Sequence, residues 1–147
     1  MTILDDYSRY GWVIFIKSKS DTFNAFIIWF KKIKNIFYKN IKYICTDNGK
    51  EFINNNFEKF FEENGIVHQD TVAYSPQQNG RVERLHGTLV ANANAMVADS
   101  KLHHKFLQDA IATANYIYNR LLHKGNDNKV PFEILYNEKV DYGKFKV

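Results

Sequence analysis

The order of predicted elements indicates an α/β fold in which a mixed sheet is covered by helices. Two features predict it: short segments rich in β-branched and aromatic residues, and longer segments in which apolar residues recur at helical spacing. Along the chain these segments follow one another as hairpin, helix, strand, helix, strand, helix and helix. Strands that alternate with helices form layered α/β domains. At 147 residues, the chain is long enough for one domain with a sizeable core.

The first part of the chain is predicted to form a hairpin followed by a helix. Thr2–Asp5 is a short apolar stretch entering a polar turn, and Tyr10–Ile16 is rich in aromatic and β-branched residues. A helix is expected to begin at Ser20 or Asp21, because apolar residues then recur at helical spacing: Phe23, Ile27, Phe30, Ile33 and Phe37. Five lysines lie on or just after it, and we expect them to form a solvated face, with contact to DNA the less favoured role: Lys31, Lys32, Lys34, Lys39 and Lys42.

Two strands and a helix are predicted in the middle of the chain. Tyr43–Thr46 and Val67–Asp70 are short strands, and Thr71–Gln78 is a loop. Asn54–Asn64 is predicted to be a helix with Gly65 as its C-terminal cap. Its inward residues are expected to be Phe57, Phe60 and Phe61. The order of these elements predicts strands covered by helices.

Three helices are predicted in the last part of the chain. The first runs from Asn79 to Asp99, with a core-facing stripe made of Val82, Leu85, Leu89, Ala93, Met96 and Val97. Glu83 falls in its first turn, on the adjoining stripe that faces a cleft. Phe106–Leu122 is the second helix, with inward residues Leu107, Ala110, Ile111, Ala114, Ile117 and Leu121. Pro131–Tyr136 is a short final helix with Pro at its first position.

Composition and charge narrow the functional class. The net charge is +4 with a pI near 9.0, which is compatible with a polyanionic partner. The single cysteine, Cys45, excludes an intrachain disulfide and a cysteine-rich zinc site. No apolar run approaches the length of a transmembrane helix, and no signal peptide opens the chain. We expect a soluble intracellular protein without membrane partners, located in the nucleus if it acts on a eukaryotic genome.

Two carboxylates stand out, Asp47 and Glu83, with 35 residues between them. Asp47 ends an apolar strand and is followed by Asn-Gly, whereas Glu83 lies at a predicted helix start. A strand end and a helix start can bring two carboxylates to one divalent cation, and Mg²⁺ prefers such hard oxygen ligands. Each segment also has a structural interpretation. Asp-Asn-Gly is a common turn, and the helix macrodipole favours Glu in a first turn.

The residues around this pair carry a specific resemblance. Thr46–Phe52 and Ser75–Arg84 resemble the catalytic core of retroviral-type integrases and related transposases. Three further segments, Asp5–Tyr10, Ala114–Arg120 and Pro131–Glu133, look like copia-type retrotransposon integrase. The resemblance covers almost the whole chain and implies the ribonuclease H-like fold. It also implies that residues 1–147 form a single catalytic core domain without the family's zinc-binding or C-terminal DNA-binding domains.

The resemblance implies DNA integration by phosphodiester strand transfer, with two Mg²⁺ or Mn²⁺ ions in an intact site. It assigns catalytic and metal-binding roles to Asp47 and Glu83. It implies double-stranded DNA as the partner, both element ends and target, and assembly into a homo-oligomer. Candidate DNA-binding residues are Lys50, Gln78, Asn79, Arg81, Arg84 and His86. Gly87 departs from the basic residue usual in the family, which weakens the inference of DNA binding.

A third carboxylate, carried on the first strand of the family's sheet, has no clear counterpart. Asp5 and Asp6 match the second strand and are expected to cap a turn, with Arg9 as a partner. We therefore expect that the first strand is missing, and that the chain is truncated at its N-terminus. Two carboxylates cannot neutralise two dications, so metal affinity and strand transfer are expected to be weak or absent.

Other functions fit the same motifs. A relic or domesticated module that binds DNA or other integrase chains would share the fold without catalysis. A bacterial insertion-element transposase core would share the Asp-Asn-Gly and Asn-Gly-Arg-Val-Glu-Arg sequences. A true ribonuclease H is disfavoured, because the Pro-Gln-Gln-Asn-Gly segment before Glu83 is typical of integrases.

Overall fold

The computed structural model describes residues 1–46, 52, 54–70 and 76–145, except the side chains of residues 70, 76–79 and 144. The chain divides into two compact units. The first contains Met1 and Ile14–Arg81, and the second contains Thr2–Val13 and Val82–Val147. No helix in the described part of the chain has both the length and the apolar character needed to cross a bilayer.

Strands and helices alternate through most of the chain. The strands are β1 Thr2–Leu4, β2 Gly11–Val13, β3 Tyr43–Thr46 and β4 Val67–Asp70. The helices are α1 Thr22–Phe37, α2 Asn55–Asn64, α3 Pro76–Asp99, α4 Leu107–Tyr118 and α5 Pro131–Tyr136. β1 pairs with β2 in antiparallel orientation, and β3 pairs with β4 in parallel orientation. The α/β class is confirmed, and β3, β4 and α5 have the predicted boundaries.

Phenylalanines from α1 and α2 form the core of the first unit. Phe57 is 0% exposed, and its ring centroid lies 5.3 Å from that of Phe26 and 5.6 Å from that of Phe61. Phe30 and Ile66 complete the buried cluster. The prediction for α1 named Phe30 and Ile33 correctly but omitted Phe26, whereas Phe23 and Ile27 are only partly buried. The buried stripe of α1 is therefore rotated slightly from the predicted one.

The ends of α2 match its sequence signals. The side-chain oxygen of Asn54 accepts hydrogen bonds from the N–H groups of Asn56 and Phe57 at 3.1 and 3.2 Å. These bonds satisfy donors that have no partner within the helix. Gly65 adopts φ 63°, the left-handed conformation of a C-terminal cap, as predicted. Asn54 is thus the cap that precedes the helix rather than its first residue.

In the second unit, an asparagine side chain joins α4 to the hairpin. Oδ1 of Asn119 accepts from Gly11 N–H at 2.8 Å, and Nδ2 of Asn119 donates to Gly11 C=O at 2.8 Å. Asn115 donates to the same carbonyl at 3.0 Å. A Cβ on Gly11 would lie 2.8 Å from Cδ2 of Leu85, well inside van der Waals distance. The hairpin therefore needs glycine here, where α3 and α4 both approach its backbone.

Two predicted helix ends differ from the structure by three or four residues. α3 begins at Pro76, three residues before the predicted start, so the segment 76–78 is helical rather than part of a loop. Proline suits the first helical position, where its missing N–H needs no partner. α4 ends at Tyr118, and Leu121, predicted to face inward, is 49% exposed. The helix stops because the carbonyl of Asn119 accepts from Phe132 N–H at 2.8 Å instead of from a following helical turn.

Asn119→Ala is expected to destabilise the fold by about 2–4 kcal/mol. The substitution removes two hydrogen bonds and leaves a buried backbone N–H without its acceptor. Urea unfolding would measure the loss. Asn92→Ala, at an exposed position in α3, is the matched control and should change stability by less than about 0.5 kcal/mol. Equal stability in the two variants would contradict the role of Asn119.

Tyr10 supplies a pH-dependent contribution to stability. Its ring centroid lies 4.8 Å from that of Trp12 and 5.6 Å from that of Tyr136. Burial, reinforced by the interaction with Tyr136, raises the pKa of Tyr10 to about 12 from its ordinary value of 10.0. The unfolded chain therefore loses the Tyr10 proton first as the pH rises.

The stabilising effect of neutral Tyr10 is expected to be complete below pH 10 and to disappear between pH 10 and about 12. The free energy of unfolding, measured in urea at intervals across pH 9 to 11.5, should fall less steeply in Tyr10→Phe than in the wild type. The control Tyr7→Phe changes a residue that is 83% exposed, and it should keep the wild-type slope.

Candidate functional site

The edge at which β3 and β4 end lies directly before Asp47. The strands pair in register, with Thr46 opposite Asp70 at their last positions. Thr46 is buried, and its Oγ1 lies 2.8 Å from Nε2 of His68 in a hydrogen bond across the two strands. This bond holds the last residue of β3 in place. Asp47 itself and Lys50 lie outside the described residues.

His68 is a residue that the sequence reasoning did not single out. Its ring centroid lies 4.9 Å from that of Phe61, so one face of the imidazole packs on the core of the first unit. Its Cα is paired with that of Ile44 on β3. The sequence showed only that a histidine lies inside a predicted strand. Its partner Thr46 could not be predicted, because the contact depends on the pairing of β3 with β4.

Glu83 lies on the exposed side of α3. Leu85 and Leu89 of the same helix are buried with Ala114 in the core of the second unit. Glu83 lies seven residues after Pro76, about two turns into the helix. The prediction that Glu83 occupies the first turn is therefore wrong. Because the helix dipole acts mainly within the first turn, it does not explain an acidic residue at this position.

The described candidates for DNA contact differ in their surroundings. Arg84 and His86 are exposed, whereas Arg81 is half-buried. Nδ1 of His86 lies 3.2 Å from Oγ1 of Thr2, so this ring hydrogen-bonds to β1. One ring nitrogen of His86 is thus engaged in a hydrogen bond within the protein.

Two further candidates, Gln78 and Asn79, lie on the helical backbone of α3, and their side chains are outside the described part of the chain. The expectation that Gln78 belongs to a loop is wrong, because α3 already begins at Pro76, whereas Asn79 is helical as predicted. Gly87 is exposed, and a side chain added there would meet no atom within 4 Å. The position therefore tolerates a larger residue.

Asp5 and Asp6 form the hairpin turn, as expected. Oδ2 of Asp5 accepts hydrogen bonds from the N–H and the hydroxyl of Ser8, at 2.7 and 2.6 Å. Asp6 forms an ion pair with Arg9, which itself adopts φ 62°. Among the described residues, no three His, Cys, Asp or Glu side chains are grouped closely enough to hold a metal ion. Both aspartates therefore have structural roles in the turn.

Comparison with known families identifies the chain. The model of the integrase core domain matches residues 1–76, more than half of its length. The chain belongs to the integrase core domain family. The match includes Asp47 and ends before Glu83. The resemblance to integrase cores that the motifs predicted is therefore confirmed, whereas the roles of Asp47 and Glu83 stay predictions.

Two curated relatives of this integrase core are transposon polyproteins. It is 32% identical over its full length to the retrovirus-related Pol polyprotein from transposon TNT 1-94 of Nicotiana tabacum. It is 28% identical over 98% of its length to the corresponding polyprotein from transposon RE1 of Arabidopsis thaliana. The chain spans 11% and 10% of these proteins, so it corresponds to a small part of each.

Solved integrases share the fold. A chain of the simian T-cell lymphotropic virus intasome, solved with the PP2A regulatory subunit B56 gamma, matches 95% of this integrase core with a TM-score of 0.72 at 19% identity, over 49% of its own length. The HTLV-2 integrase catalytic core domain, solved as a trimeric form in complex with magnesium, matches 89% with a TM-score of 0.65 at 26% identity, over 80% of its own length. The ribonuclease H-like fold is thereby confirmed.

Asp5→Ala is expected to lower the free energy of unfolding by about 1–3 kcal/mol, because the buried Ser8 loses the acceptor of two hydrogen bonds. Asp6→Ala removes an ion pair in which Asp6 is exposed and should cost less than about 1 kcal/mol. Both values can be measured by urea unfolding of metal-free protein. A gain in stability in Asp5→Ala would contradict the structural role, because it would point to carboxylates held close together for a cation.

Proposed function

We propose that this integrase core contributes to the transfer of DNA strands, as part of a copia-type retrotransposon integrase. Asp47 and Glu83 are the carboxylates assigned to the reaction. The observation that carries this proposal is the exposed carboxylate of Glu83 on α3, in a chain that belongs to the integrase core family. The relation to transposon polyproteins supports DNA as the substrate.

In the proposed reaction, a hydroxyl oxygen attacks the phosphorus of a DNA phosphodiester in line. A new P–O bond forms while the bond to the leaving oxygen breaks, so the number of phosphodiester bonds is conserved. The attacking hydroxyl gives up its proton and the leaving oxygen takes one up, so protons also balance. Asp47 and Glu83 would supply hard oxygen ligands, which suit Mg²⁺ or Mn²⁺. When bound, such ions supply charge neutralisation at the reacting phosphate. The HTLV-2 core solved with magnesium supports this choice of metal.

The surrounding residues would position both carboxylates. Burial of Leu85 and Leu89 keeps α3 oriented with Glu83 on its solvent side. The Thr46–His68 hydrogen bond holds the strand end that precedes Asp47. Arg84 is exposed next to Glu83 in sequence and would contact DNA phosphates. The burial of Leu85 and Leu89 and the Thr46–His68 hydrogen bond are present without DNA, so each orders its own segment before substrate binds.

We further propose that an active site requires a third carboxylate from outside residues 1–147. Two ions bring four positive charges, and two carboxylates neutralise only half of them. Asp5 and Asp6 are engaged in the hairpin turn. A strand preceding the hairpin, as the integrase resemblance implies, would supply the missing group. Oligomers are proposed as the working form, in line with the dimeric and trimeric HTLV-2 cores.

A strand-transfer assay with Mg²⁺ or Mn²⁺ tests the chemistry. Residues 1–147 alone are expected to give little or no product. If an in-frame upstream segment encodes a strand with an Asp, the chain extended by that strand should give product, and Glu83→Gln should abolish it. Product from residues 1–147 that is lost in Glu83→Gln would contradict the need for a third carboxylate. Activity retained in the Glu83→Gln variant of the extended chain would overturn the role of Glu83.

Gly87→Lys tests the proposed DNA-binding face of α3. Gly87 lies one turn beyond Glu83 in open space, so a lysine there adds a positive charge beside the proposed phosphate position. Affinity for duplex DNA is expected to rise several-fold at about 100 mM salt. Gly87→Ala is the control: it should stabilise the helix by roughly 1 kcal/mol without changing the affinity. Equal affinities in the lysine and alanine variants would contradict the proposed face.

A further inference from the structure

The positive charge of the chain is concentrated in α1 and the segment that follows it. Residues 22–46 contain five lysines and no aspartate or glutamate. The whole chain has 20 basic and 16 acidic residues, so the remaining residues carry 15 and 16, a net charge of −1. Residues 22–46 therefore account for the whole net positive charge of the chain. Such asymmetry indicates a surface for a polyanion.

Helical geometry places part of this charge on one stripe. Successive residues of a helix are rotated by about 100°, so Lys31 and Lys34 lie within roughly 60° of one another, and Tyr38 follows α1 directly as its C-terminal cap. All three are exposed, and they lie off the stripe that buries Phe26, Phe30 and Ile33. Lys39 and Lys42 are also exposed and continue the charge along the loop into β3. We call this set the lysine surface: Lys31, Lys34, Tyr38, Lys39 and Lys42.

The lysines are not neutralised within the described part of the chain. The ion pairs found there join Arg9 with Asp6 and Lys59 with Glu63, and none of the four lysines of the lysine surface lies within 4.0 Å of a described carboxylate oxygen. A solvated helix face normally alternates charges of both signs. Here the unbalanced charge is available to an external partner.

Tyr38 adds an independent observation. It is 92% exposed, and it caps α1 in the left-handed conformation with φ 51° and ψ 29°. Glycine or asparagine normally fills such a cap, because a larger residue is strained there. Tyr43, at the start of β3, is also 62% exposed. An exposed tyrosine in a strained position gains nothing from the core, whereas its hydroxyl can donate to a phosphate oxygen.

We propose that the lysine surface binds the phosphate backbone of duplex DNA. The stripe from Lys31 to Tyr38 extends about 10 Å along the helix, and one DNA strand presents about three phosphates over that length. The regular row of phosphates fits a row of lysines better than the scattered carboxylates of a protein partner. This inference rests on the proposed DNA function, and it adds a contact formed by residues outside the integrase motifs.

The test is the salt dependence of DNA binding by the full chain, measured by fluorescence anisotropy on a random duplex in EDTA. The variant Lys31→Gln/Lys34→Gln/Lys39→Gln should reduce the slope of log affinity against log salt by about 2–3, roughly 0.9 for each lost phosphate contact. Affinity at about 100 mM salt should fall at least tenfold. The charge-matched control Lys124→Gln/Lys129→Gln/Lys139→Gln changes exposed lysines of the second unit and should leave the slope within about 0.5 of wild type.

Several outcomes would overturn the inference. These are absence of duplex binding by the wild type, an unchanged slope in the lysine-surface variant, or equal losses in the two triple variants. A lysine-surface variant that loses oligomers in sedimentation but keeps the slope would assign the surface to a second copy of the chain instead. Because binding is measured without metal, a failed strand-transfer assay would overturn the proposed chemistry and leave this result standing.

Tyr38→Asn separates binding from stability. Asparagine tolerates the left-handed cap, so the melting temperature should rise by a few degrees. At the same time, DNA affinity should fall about two- to fivefold because the hydroxyl is lost. A higher melting temperature with unchanged affinity would remove Tyr38 from the proposed surface.

Discussion

The contact between Asn119 and Gly11 is the constraint on which the second unit depends. A side-chain amide replaces a strand neighbour by satisfying both backbone groups of Gly11, with both bonds at 2.8 Å. Because Gly11 has no side chain, Leu85 of α3 packs directly against the hairpin backbone. Leu85 lies two residues after Glu83. One buried asparagine and one glycine therefore join the hairpin, α3 and α4.

The first unit is held together in a different way. Its core is a cluster of aromatic rings from α1 and α2, and its parallel strand pair is stabilised by a histidine–threonine hydrogen bond at the edge that precedes Asp47. Burial of large aromatic side chains contributes most of the stability of such a core. The polar contact instead defines the position of a strand end. The phenylalanines thus stabilise the core, whereas Thr46 and His68 fix the position of the strand end.

Glu83 is exposed on α3, whose Leu85 and Leu89 are buried in the core of the second unit. This arrangement explains why apolar and polar residues are combined within a few positions around Glu83. The inferred lysine surface follows a different logic, since its residues contribute little to the core and one of them is conformationally strained. Backbone strain at Tyr38 that brings no burial in the core is best explained by a partner outside the chain.

Local sequence signals were sufficient for much of the fold. The predicted boundaries of β3 and β4 were correct, Gly65 located the end of α2, and Pro131 located the start of α5. The early start of α3 was missed because Pro76 and the glutamines after it suit both a loop and a first helical turn. The end of α4 was missed because it depends on α5, which takes the carbonyl of Asn119.

For the candidate site, the motifs alone selected Asp47 and Glu83 and identified the family. Helix and strand propensities could not have done so, because they do not depend on the chemistry of a site. The structure decided what the motifs left open: the turn roles of Asp5 and Asp6, and the contacts of His68 and Asn119. Asn119 meets a partner 108 residues away, and His68 meets one 22 residues away. Contacts between residues so distant in sequence form only when the chain folds, so no periodicity or spacing reports them.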